Sequence, residues 1–257
     1  MISLLRVLAL IGIAAAIAPA AVAVSSPASP ERIEDQVFEA ANGFRADNRL
    51  DGLQSNPTLA SEARAFADYL VRTGKFSHTA DGQDPGGRAR QAGYDYCELA
   101  ENLAYEADDS GFGAEHLTGV FMSGWEASPG HRHNLLNSTV TETGVGVARA
   151  QGRGALQKYV AVQVFGRPAS MRYSFQVENR SADQVAYEFD DVSRRVPAYS
   201  TMIETTCATG DIVFQRPVRG PSSYAAEPGA RYVLSNDSDG GVRVELDRRR
   251  LSGGRPE

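Results

Sequence analysis

Apolar residues recur at helical spacing near the start of the chain. Ile33, Val37, Ala40 or Ala41, and Phe44 form one stripe, and Asn48 to Gly52 ends it. Asn56 followed by Pro57 opens a second stripe of Leu59, Ala63, Phe66 and Leu70, which Gly74 stops. The turn-rich run DGQDPGG over 81–87 precedes a short helix predicted at 88–92, and a longer helix is predicted over 113–126 with Leu117, Val120 or Phe121, and Gly124 or Trp125 on one face. Between these two, residues 97–105 read as a segment crossing the core, in which alternation sets Glu101 on a different side from Ala100 and Asn102. Strands over 143–149 and 158–166, joined by the polar loop QGRGALQK, predict an antiparallel hairpin. Helices flanking a small antiparallel sheet make an α+β unit of the α-β-α sandwich kind.

Past Pro168 the pattern changes to short alternating runs: Tyr173, Phe175 and Val177; Val185, Tyr187 and Phe189; Ile212 and Phe214; Val242, Val244 and Leu246. Turn residues separate them and no helical stripe appears, so residues 169–247 are expected to form a small all-β, sandwich-like domain after a first domain over 31–168. Residues 248–257, rich in arginine and glycine, read as a solvated tail.

Composition narrows the function classes. A net charge of -6 at pH 7 argues against a nucleic-acid partner, which needs a basic face. The first 23 residues carry one early charge at Arg6, an apolar run from Val7 to Ala18 and the small-residue exit Ala21-Val22-Ala23, the layout of a secretory signal peptide cleaved after Ala23 or Ala20. Residues 24–30 follow as a linker. An uncleaved anchor is the alternative, but this run is short and no other stretch approaches about 18 apolar residues. The expected location is therefore periplasmic or secreted. Export places the two cysteines, Cys97 and Cys207, where a disulfide can persist; the alternative is two buried thiols.

The densest chemistry lies in residues 124–148, GWEASPGHRHNLLNSTVTETGVGVA. Ser128 with Pro129 reads as an N-cap with proline at the first helical position, which puts His131 in the first turn of a helix. Unpaired amides there disfavour an imidazolium and leave a neutral ring able to bind a metal or take a proton. The Trp-x-x-Ser-Pro-Gly-His-Arg-x-Asn motif, the following Gly-Val-Gly strand, Phe76-Ser77-His78 and Ala100-Glu101-Asn102-Leu103 stand in an order and spacing that resemble the bacterial branch of the CAP superfamily, relatives of cysteine-rich secretory and pathogenesis-related proteins. The resemblance covers residues 33–167 and says nothing of the remainder.

That resemblance implies the α-β-α sandwich and a cavity tetrad of two histidines and two glutamates that sometimes holds a divalent cation. Motif for motif, His78 and His131 fall on the histidine positions and Glu101 on the first glutamate, while Ser128 stands at the second. Glu126, one residue past Trp125, points elsewhere on the helix. His78, Glu101 and His131 with an open fourth position could hold one zinc ion or serve general acid/base work on water; otherwise they form a buried polar cluster that fixes the cleft. Asn102 and Asn134 are expected to bond backbone around that cleft, and His116 and His133 to face solvent. A Ser128, His131, Glu101 triad is disfavoured, because no Gly-x-Ser-x-Gly turn is present and a proline follows Ser128. The leading expectation is an exported, non-enzymatic protein whose cleft, lined by His78, Glu101, His131, Ser128 and Asn102, takes a small lipid-like molecule, a peptide or a metal ion. Metal-assisted hydrolysis of peptide or cell-envelope polymer, and an interaction role for the β domain, are the alternatives.

Overall fold

A computed structural model describes residues 28–108, 113–151, 156–215 and 218–248. The leader, most of the linker and nearly all of the expected tail lie outside them. Five helices precede or interrupt the first sheet: α1 (Pro30–Asp47), α2 (Pro57–Thr73), α3 (Pro85–Gln91), α4 (Ala114–Ala127) and α5 (Pro129–Leu135). Their starts follow local chemistry. Ser29, Asn56 and Asp84 each accept a first-turn amide at an N-cap, each is followed by proline, and Gly74 closes α2 in the left-handed region at φ 71°. Helix α3 begins three residues before the predicted 88, because Asp84-Pro85 is a cap and not a continuation of the turn.

The first sheet has the order β1-β3-β4-β2, with β1 at Gln54–Ser55, β2 at Tyr96–Asp108, β3 at Glu142–Gln151 and β4 at Gln157–Pro168. It is antiparallel as expected, except that the two-residue β1, which has no sequence signal of its own, runs parallel to β3. One face carries α2 and α3 over Leu59, Phe66, Leu70, Val160, Val162 and Val164. The other face carries α1, α4 and α5 over Ile33, Val37, Phe121, Trp125, Tyr159 and Phe165. Gly144 and Gly146 face α2 so closely that a Cβ on either would overlap the helix backbone, at the amides of Ala60 and Arg64. The Gly-Val-Gly pattern is thus a docking requirement: small residues toward α2, Val145 and Val147 toward the opposite core.

Two further sheets follow. One has the order β10-β13-β12-β5-β8 (Val218–Arg219, Val242–Asp247, Arg231–Asn236, Tyr173–Asn179, Ser200–Thr206) and the other β11-β9-β6-β7 (Ser223–Ala225, Asp211–Phe214, Val185–Phe189, Val192–Val196). Their inner residues share one core, in which Phe175 meets Phe189 edge-on at 5.2 Å and Phe214 lies 6.4 Å from Tyr232. This is the sandwich expected from the alternating runs, with five more strands than those runs marked. Cys97 and Cys207 are bonded across 110 residues, joining the start of β2 to the segment after β8. No helix among the described residues is long and apolar enough to cross a membrane.

Candidate functional site

Strand β2 is the outer strand of the first sheet, and the candidate residues gather around its open side. A free strand edge presents amides and carbonyls that need partners. Here the neighbouring helices supply them from side chains. Trp125 Nε1 donates to the Leu103 carbonyl at 3.0 Å and Asn134 Nδ2 to the Glu101 carbonyl at 3.3 Å. Asn134 also donates to Asn102 Oδ1 at 2.9 Å, and Asn102 in turn donates to the His131 carbonyl at 3.2 Å. Asn102 and Asn134 therefore hold α5, and His131 with it, against the strand, which is the backbone-bonding role expected of them.

Alternation along β2 sends Glu101 to the α2 and α3 side, where it is almost wholly buried. Its Oε1 lies 2.7 Å from His78 Nδ1, and its Oε2 accepts from Arg88 Nη2 at 2.5 Å. Arg88 also donates to Glu62 Oε1 at 2.8 Å, to the His78 carbonyl at 2.9 Å and to Asp81 Oδ1 at 3.2 Å, and its guanidinium stacks 3.4 Å from the Phe66 ring centroid. A buried charge is retained where it is paired and bonded throughout, and Arg88 meets that condition. Burial pushes the Glu62 carboxyl up to about 7, although the Arg88 bond and charge pull the other way.

His131 sits in the first turn of α5 as expected and is half-buried. Burial, followed by the nearby His78, holds its ring below the usual imidazole range, so it is neutral at pH 7. The two imidazoles and Glu101 thus converge, with His78 bonded to the carboxylate and His131 near His78 but not bonded to either. Ser128 occupies the N-cap position, its carbonyl accepting from the Arg132 amide at 2.8 Å, but its side chain makes no capping bond. The expectation of a side-chain cap is corrected. His116 and His133 are exposed.

Both oxygens of Glu101 already have partners, His78 on one and the Arg88 guanidinium on the other, and no second glutamate stands at the Ser128 position. Among the described residues no three His, Cys, Asp or Glu side chains are placed to hold a metal. A cation held by His78, Glu101 and His131 would have to share the Glu101 carboxylate with Arg88.

The sequence pattern did not single out Arg88 or Glu62. Glu62 carried a signal: it lies three residues past Leu59 on the buried stripe of α2, where an acid requires a partner. Further along the same strand edge, Phe76, Leu103, Tyr105, Phe121, Trp125 and His131 line a groove of about 340 Å³. Phe76 and Tyr105 meet edge-on at 5.0 Å and remain 42% and 56% exposed. Large aromatic groups kept at a cavity mouth are a common mark of a binding site.

Comparison with known proteins agrees with the residue pattern. The model of the cysteine-rich secretory protein (CAP) family matches residues 38–165. The chain is 29% identical over 123 residues to the uncharacterized protein YkwD of Bacillus subtilis (strain 168), and 30% identical over 117 residues to the uncharacterized membrane protein YlbC of the same organism. Those alignments take in 48% and 45% of this chain but only 45% and 32% of the relatives, so it spans less than half of either. An extracellular protein containing a SCP domain from Bacillus anthracis str. Ames aligns in structure at 25% identity, covering 56% of this chain and 45% of that one with a TM-score of 0.44. The α-β-α part of this chain, residues 38–165, belongs to the cysteine-rich secretory protein family, within the bacterial branch of the CAP superfamily.

Proposed function

We propose that this chain is an exported binding protein whose groove beside His131 receives a small apolar or lipid-like ligand. The observation that carries the reading is the groove itself: apolar walls from Leu103, Phe121 and Trp125, two exposed aromatic rings at the mouth, and polar groups confined to the Ser128 and His131 end. Such a lining favours an apolar body with one polar end. The secretory leader supports export, and the structural neighbour from Bacillus anthracis is described as extracellular. A hydrolytic role is less well supported, because no second glutamate stands at the Ser128 position to complete the tetrad that the family resemblance implies.

Trp125 is the single tryptophan and it lines the groove, so its fluorescence reports occupancy without a label. Addition of a dibrominated stearate should quench it in a saturable way, and Phe76→Ser, which alters an exposed mouth residue, should weaken the response about tenfold. Quenching that does not saturate, or that is unchanged in the Phe76→Ser variant, would rule out this ligand class for the groove.

A further inference from the structure

An uncovered sheet edge is a template for a further strand, so folded chains blunt their edges. Most edges among the described residues are blunted. Strands β1 and β10 are two residues long and β11 is three, β7 carries Arg194 and Arg195, and the open side of β2 is met by Trp125 and Asn134. Strand β8 has none of these devices. It ends its sheet, keeps unbroken register with β5 along Ser200–Thr206, and contains no proline, lysine or arginine. No backbone group among the described residues bonds to its outer side. Its one charge, Glu204, turns toward the sandwich interior, where Arg194 Nε lies at 2.9 Å and Tyr187 Oη donates at 2.6 Å, so it does not guard the edge.

The outward face of β8 is uncharged. It presents Thr201, Ile203 and Thr205. Ile203 at 64% and Tyr199 at 75%, just before the strand, are the two most exposed large hydrophobic side chains among the described residues. From the unguarded edge and this exposed pair, we infer that β8 is a dimer interface, joined edge to edge and antiparallel to β8 of a second copy of this chain. A two-fold axis normal to the sheet keeps each face on its own side and therefore passes through one residue of the strand. Ile203 is the midpoint of Ser200–Thr206, so an axis there pairs the whole strand, setting Ile203 against the second copy's Ile203 and Thr201 against its Thr205. These are β-branched, uncharged pairs of the kind that stabilise neighbouring strands. An axis at Glu204 would shorten the ladder and oppose two carboxylates. The strand is thus complementary to itself, which selects a second copy as its occupant over an unrelated peptide.

Sedimentation equilibrium of the full exported chain tests the interface. Strand pairing alone makes a small contact, so a monomer–dimer equilibrium with a Kd of about 10 to 100 μM is expected. Ile203→Lys, at an exposed position, should leave the thermal transition in place and weaken dimerisation at least about tenfold, because two lysines would then oppose each other. The register is read separately. Both native cysteines are held in the disulfide, so an introduced thiol is the one free thiol in the chain. Oxidation with copper–phenanthroline should convert the Ile203→Cys variant to a covalent dimer, since the paired Cβ atoms lie about 5 Å apart, whereas Thr201→Cys, whose two copies lie about 14 Å apart, should stay monomeric on a non-reducing gel. A monomer at about 1 mM, dimerisation undiminished in Ile203→Lys, or equal cross-linking of the two cysteine variants would each overturn the assignment.

Discussion

The α-β-α region and the β-sandwich are held together by different kinds of interior. The first buries Glu34, Arg45, Glu62, Arg88, Glu101 and Gln163 among its apolar side chains, whereas the second, among its described residues, buries only the polar Asn179 and Ser181 and fills its core with Phe175, Tyr187, Phe189, Phe214 and Tyr232. Aromatic packing gives stability without chemistry. Buried ionic groups add little net stability but fix positions and pKa values, and they occur in the region that carries the groove and the histidines. The same contrast separates a region with candidate sites from one that reads as a scaffold.

The largest effect is expected where no side chain is tolerated. Gly146→Ala would drive a methyl into the α2 backbone and should cost about 5 kcal/mol or more, seen as loss of a cooperative thermal transition for the first region. Removing the link between the regions, by Cys97→Ser with Cys207→Ser, should cost up to about 4 to 5 kcal/mol on the chain-entropy account, since the loop spans 110 residues. Because the cores of the two regions share no residue, calorimetry of that variant should resolve two transitions; a single unchanged transition would show that the interiors are coupled without the disulfide.

Arg88→Met tests the ionic interior directly. It leaves Glu62 and Glu101 buried without their cation and should cost about 3 to 5 kcal/mol, while the sandwich transition stays in place.

A smaller, pH-dependent effect comes from Glu62. Its carboxyl rises from the ordinary 4.5 to about 7 on folding, so the folded state holds the extra proton between those values. The stability it contributes is complete below about pH 4.5 and is lost as pH rises through 7, by up to about 3 kcal/mol. His131 acts with the opposite sign: its lowered value makes stability fall as pH drops below the usual imidazole range. Denaturant midpoints across pH 4 to 8 should therefore lose their decline toward neutrality in Glu62→Gln and their decline toward acid in His131→Asn. The smallest effect serves as a control for Gly146: Gly119→Ala, on the exposed face of α4 with open space around it, should stabilise by about 0.5 to 1 kcal/mol.

The sequence by itself determined the elements whose causes are local. Asn56-Pro57 and Gly74 bound α2 because capping and left-handed closure depend on a few adjacent residues, and the valine and glycine alternation marked β3 as a strand. The alternating runs after Pro168 likewise announced paired sheets, but they missed β7, β8, β10, β11 and β12: β7 and β8 stay largely exposed, β10 and β11 are two and three residues long, and β12 alternates apolar residues over only Tyr232 and Leu234. The family resemblance implied His78, Glu101 and His131 as one site, and Asn102 and Asn134 were expected to bond backbone around it. What surrounds Glu101 was decided only in three dimensions. Arg88 comes from a short helix 13 residues earlier and Glu62 from another helix 26 residues before that; whether a carboxylate meets a metal, a proton or a guanidinium depends on the distance between groups that no local pattern encodes. The apolar groove has the same origin, since it is the space left between elements whose separation is set by close packing across the whole sheet.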